Sequence, residues 1–345
     1  IYNRNDAKTI SAKISGTGAL IDQGSGTLTL SGANDYTGAT TVSAGTLVIT
    51  NATGLGTAAA GTTVASGATL DLQGVAVGNE AITLNGGTLA TSTGTGSLTG
   101  TVTMGANSTV NVSGTALSLN GVVSGAYALT KSGSGALTLA AANTYTGATT
   151  VNAGTLVVTN AAGLGTTAGS TTVANGSTLD LQGVAVGNEA ITLNGGSTLA
   201  TSTGTSSLSG TVAMGAASTV NVGGTSLTLS GIVSGAYALT KSGSGTLVLA
   251  AANNKTQIEY NLIESKKRIR MEINQALIQY SNAKDQLGWA ESAYRDTVMS
   301  SNGKEAASVV AERQKTVDLI DARTNHLKAL IYVLRLSGDY SLPKL

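Results

Sequence analysis

The chain has 345 residues, a net charge of +1 and no cysteine. That leaves room for two or three domains and argues against a disulfide framework, a thiolate metal site or a partner bound through overall charge. With 46 Gly, one Trp, one His, one Pro and no Phe, any core must be stacked from small aliphatic side chains.

Charge is unevenly spread. Residues 1–252 carry five Lys/Arg and seven Asp/Glu, while 14 of the 19 basic and 11 of the 18 acidic side chains follow. A domain boundary is therefore expected between 1–253 and 254–345. Ile1 is not a start residue, and no stretch reads as a signal peptide or a membrane span.

From about residue 12 to 253, four-residue runs alternate apolar with Thr, Asn or Asp: Thr27–Leu30, Thr46–Ile49, Thr69–Leu72, Ala81–Leu84, Thr101–Met104, Thr109–Val112 and Ala116–Leu119. This is the period of a strand with one buried face, and glycine-rich turns punctuate it. The region is also written twice. Asn34-Asp35-Tyr36-Thr37-Gly38 returns as Asn143-Thr144-Tyr145-Thr146-Gly147, a step of 109, and Ser197 is an extra residue inside a glycine turn. The units run about 36–143 and 145–253, and a third copy starts at Ser242–Leu249. Such short strands avoid exposed edges by stacking coil on coil. The expected fold class is mainly β, a parallel β-helix of about five coils per duplication, with an antiparallel sandwich as the rival. Leu28, Leu30, Leu137 and Leu139 should point inward.

Gly24–Leu30, Asn34–Gly38, Thr41-Val42 and Ala44–Leu47, with their second copies, resemble the passenger-associated strand repeat of bacterial autotransporters. The resemblance implies a right-handed β-helix exported to the cell surface or outer membrane, of the adhesin or stalk kind. A host surface or a carbohydrate is the partner expected of the solenoid, and no nucleic acid is expected.

Chemistry in the repeat is thin. Asp71, Asp180, Glu80 and Glu189 are the candidate acids of a polysaccharide-cleaving β-helix, but each occurs once per copy, whereas carboxylate catalysis needs two within about 5–10 Å. A turn or surface role is expected for them, and no catalytic, metal or cofactor site is assigned. Tyr36 and Tyr145 are expected to pack over a coil edge. The Thr-x-Thr runs could form a flat ice- or sugar-binding face, against the plainer reading of threonine on solvated strands.

After 254 the period changes. Thr256-Gln257-Ile258-Glu259 is a capping box. Ile269, Ile273, Ala276, Tyr280, Ala283, Leu287, Ala290 and Tyr294 then follow a heptad seam. Asn302-Gly303 marks a turn, and Val310, Val317, Ile320, Leu327, Ile331 and Leu334 carry a second helix to Gly338. An antiparallel helical hairpin or coiled coil is expected. Glu272–Ala276, Ala290–Tyr294 and Thr316–Arg323 resemble the C-terminal helices of TolC-type outer-membrane efflux proteins over about 256–338. That resemblance implies a homotrimeric channel, and an envelope transport component is the alternative function. Trp289 should pack beside the seam, Lys266-Lys267-Arg268 and Arg270 should form a solvated face, and His326 stands alone. The first turns of the helix, with Ile258, Leu262 and Ile263, are expected to cover the open end of the solenoid.

Overall fold

The computed structural model describes residues 1–249 together with helical positions 267, 270–275, 278–279, 281–282, 285–286, 288–289 and 292. The chain divides into two units between Asn253 and Asn254.

The first unit is a parallel β-solenoid. Thirty-one short strands among the described residues wind over three faces, and some turns place strands on only two of them. Face one is a twelve-stranded sheet from Lys8–Ile10 to Val233–Ser234, which sets the length at about twelve turns. Face two is a nine-stranded sheet from Ala76–Val77 to Leu239–Ser242. Face three holds a six-stranded sheet, Leu20–Asp22 to Val123–Ser124, and further along a four-stranded one, Ala185–Val186 to Thr246–Leu249. Every pair of named strands is parallel, as in Leu28 beside Leu47 and Leu47 beside Leu70, which rules out the antiparallel sandwich.

Alternation fixes the core. Leu28, Leu47, Leu70, Leu89 and Val110 stack in one register column and are fully buried. A parallel column of Leu30, Ile49 and Leu72 lies beside it. Leu28, Leu30, Leu137 and Leu139 all face inward. Each such side chain contributes roughly 1.5–3 kcal/mol by leaving water, and no aromatic ring is needed to fill the column.

The duplication does not hold a whole number of coils. From Leu28, five turns on face one lead through Leu47, Leu70, Leu89 and Val110 to Lys131. The copy of Leu28 is Leu137, which lies on face two. Likewise Thr40–Val42 lies on face three and its copy Thr149–Val151 on face one, while Ala76–Val77 lies on face two and its copy Ala185–Val186 on face three. The 109-residue unit thus advances five and one-third turns, not the five expected, and its copy is rotated by a third of a turn. The extra Ser197 sits in the turn between Ala190–Leu193 and Thr198–Thr201, as its glycine context required.

In the second unit the described positions between 267 and 292 are α-helical. Ile273 is buried, as its seam position requires, and Lys267 and Arg270 are exposed. Trp289 is 82% exposed, contrary to the packing expected of it. The other seam positions of the first helix, the Asn302-Gly303 turn, the second helix of the expected hairpin, His326, and Ile258, Leu262 and Ile263 lie outside the described residues.

Candidate functional site

Two constructions stand out, one inside the solenoid and one on its surface. The interior one begins with Asn34 and Asn143, both buried. Asn34 Oδ1 accepts from the Ile14 amide at 2.8 Å, and its Nδ2 donates to the Gly54 carbonyl at 2.7 Å. Asn143 does the same between Val123 and Gly163. One side chain therefore ties three successive turns together. Two residues on, Tyr36 and Tyr145 are buried, each hydroxyl sharing a hydrogen bond with Thr40 or Thr149 at 2.6 and 2.7 Å. Burial pushes the Tyr36 phenol up to about 12 and that of Tyr145 higher still. Gly56 and Gly165 lie on the two rings: a Cβ at Gly56 would collide with the Tyr36 carbonyl and stand 3.1 Å from its ring. The expectation that these tyrosines pack rather than stack on a ligand holds.

Thr40, Thr62 and Ile82 follow one another in a single inward column. Thr62 Oγ1 donates to Glu80 Oε1 at 2.7 Å, and Thr171 repeats this with Glu189 at 2.8 Å. Glu80 and Glu189 lie in turns, as expected, but each is only 4% exposed, which corrects the surface role. Burial raises both carboxyls, that of Glu189 to about 7, while the threonine bond opposes the shift.

Asp71 and Asp180 are buried as well. Asp71 Oδ1 caps the Ser92 amide at 2.9 Å and Asp180 Oδ1 caps that of Ser202 at 2.9 Å, with Gln73 and Gln182 alongside. They sit on faces one and two respectively. These acids hold backbone in place, and the fold does not pair them for catalysis. Among the described residues no group of three His, Cys, Asp or Glu comes together to hold a metal.

Sequence reasoning missed Lys131. It occupies an inward position between Val110 and Val151 and is fully buried. Its Nζ donates to the carbonyls of Ser132, Gly133 and Ala153 at 3.0, 2.7 and 2.8 Å. Burial draws the ammonium down to about 8. Its first-copy counterpart is Asp22, also fully buried, with Oδ2 lacking a hydrogen-bond partner. The signal was present: Leu129 and Lys131 alternate onto one face.

The surface construction is a threonine ladder on face one. Thr27, Thr46, Thr69, Thr88, Thr109, Thr130, Thr150, Thr172 and Thr192 stand in unbroken register. All nine are half-buried, and the spacing of a parallel sheet sets them about 4.8 Å apart. The third-turn rotation makes this run. It brings the second copy's row, Thr130 to Thr192, into line behind the first copy's row, Thr27 to Thr109. No charged side chain interrupts the column.

The first unit is thus a parallel β-solenoid assembled from a duplicated strand repeat. Three of its segments, residues 20–49, 129–158 and 239–256, match the family described as Passenger-associated-transport-repeat. The first two matches span the Asn–Tyr–Gly turn and the strands on either side of it. The chain is also similar to the adhesin BmaC autotransporter of Brucella suis biovar 1 (strain 1330), at 35% identity over a 109-residue alignment that covers 27% of this chain. The match covers 3% of that relative's length. No solved structure matches the chain significantly. The repeat region is therefore similar to autotransporter passengers, as its strand motifs implied.

Proposed function

We propose that the chain is a non-catalytic, exported surface solenoid of the stalk or adhesin kind, which meets a neutral carbohydrate or host surface through face one. The observation that carries this reading is the nine-threonine ladder: an uncharged row of methyl and hydroxyl groups at constant spacing, on a scaffold with a continuous apolar core. The likeness to an adhesin autotransporter supports the same reading. Retention of the full chain on immobilised neutral polysaccharides tests it. Thr88→Val and Thr109→Val together keep the shape and remove two hydroxyls, and they should weaken retention without lowering the melting temperature. Unchanged retention, or none in the parent chain, counts against a sugar-binding ladder. Release of reducing ends from an acidic polysaccharide would count against the non-catalytic reading.

The alternative gives the tail its own role, as part of a homotrimeric TolC-like channel in the envelope. Its support is the heptad seam and the sequence resemblance. Sedimentation of the full chain checks it, a trimer favouring the channel and a monomer the stalk.

A further inference from the structure

Glu80 and Glu189 sit inside the wall, and among the described residues of the solenoid no Lys or Arg pairs with either. The ion pairs of residues 1–249 are Arg4–Asp6 and Lys13–Asp35, both on the surface. Each glutamate receives one side-chain hydrogen bond, from Thr62 or Thr171, which are themselves buried. The titratable group facing Glu80 is the Tyr36 phenol, and that facing Glu189 is the Tyr145 phenol, both neutral over the physiological range. The next turn packs closely on the backbone of each glutamate. A Cβ on Gly100 would collide with the Glu80 carbonyl, and one on Gly210 with that of Glu189. An unpaired carboxylate in such a place is costly, whereas a carboxylic acid is tolerated.

We infer that Glu80 and Glu189 are protonation locks: the turns at 78–82 and 187–191 are closed when the two carboxyls carry their protons and loosen when they ionise. The sign follows from linkage. A carboxyl that holds its proton more tightly folded than unfolded gives stability that is complete in acid and is lost as pH rises from the unfolded carboxylate range through the folded value, about 7 for Glu189. The repeat places one lock in each copy, on different faces of the solenoid. Ile82–Asn85, which follows the first, is on face three, and Ala190–Leu193, which follows the second, is on face one.

Carboxyl-carbon NMR of the glutamate-labelled full chain reads the locks directly, with Glu80→Gln and Glu189→Gln assigning the two signals. Both midpoints should lie above those of exposed glutamates, and that of Glu189 near neutrality. Hydrogen exchange of amides 78–84 and 187–193, corrected for its intrinsic pH dependence, should show protection falling from pH 5 to pH 8. That fall should vanish at the matching site in each glutamine variant. Midpoints in the ordinary carboxylate range, or protection independent of pH, would overturn the inference. Should a variant fail to fold, the parent chain's titration still decides the question.

Discussion

Lys131 and Asp22 show how one position in a repeat can be solved with opposite charges. The repeat puts Gln23, Gly24 and Ala44 where Ser132, Gly133 and Ala153 surround the ammonium. Three carbonyls in the wall ask for donors, and a lysine supplies all of them. Asp22 supplies none while ionised; it accepts from the Gly24 amide at 3.3 Å and leaves Oδ2 unpartnered. Asp22→Lys should therefore stabilise the fold and Lys131→Asp destabilise it, each by about 1–3 kcal/mol, the cost of an unsatisfied buried polar group. Equal and opposite shifts in thermal unfolding support the shared site; two losses would contradict it. Ladder residues follow a simpler rule. Leu137→Ala should cost roughly 2–5 kcal/mol, and Thr138→Ala, half-exposed on the opposite side of the same strand, much less. Denaturant titration of the two variants checks the assigned faces.

At the scale of the element, the strands were readable because alternation is local. Thr27–Leu30 carries its own inward and outward pattern, and the glycine punctuation marks where it stops. The Asn–Tyr–Gly turn was only half readable. Its recurrence was plain, but the partners that give it meaning are about twenty residues away. Gly54 receives the Asn34 amide, and Gly56 lies on the Tyr36 ring. The buried state of Glu80 was unreadable for a related reason: it lies in an irregular turn between Ala76–Val77 and Ile82–Asn85, where no period reports its direction. Asp71 misled through alternation itself, since it does face outward yet is covered by its neighbours. Gly165→Ala should disturb this turn more than Tyr145→Phe. The alanine meets backbone and ring together, whereas the phenylalanine gives up one hydroxyl contact worth roughly 1 kcal/mol. Comparing the melting temperatures of the two variants tests the order.

Across the whole solenoid, stability is close to a sum over neighbouring turns, so the phase of the repeat matters more than its length. Removing residues 36–144 joins Asp35 to Tyr145 and replaces most deleted contacts by their copies, the Lys131 site being the exception. That shortened chain should fold and keep its strand signal in circular dichroism. Removing half of that span would set unlike strands on one another and should abolish cooperative unfolding. The duplication itself was legible in the sequence. Its fractional pitch was not, because the turns differ in length by a few residues and only the register of the strands counts them.

That fractional pitch has a consequence for how such a shaft grows. Lengthening it by copying the unit does not pile identical storeys one above another. Each new copy points its distinctive side to a different compass bearing, and a bearing recurs only after three additions. A rod extended in this way has no front and no back. An approaching surface meets the same chemistry from any direction, at heights that climb around the shaft like the treads of a spiral stair.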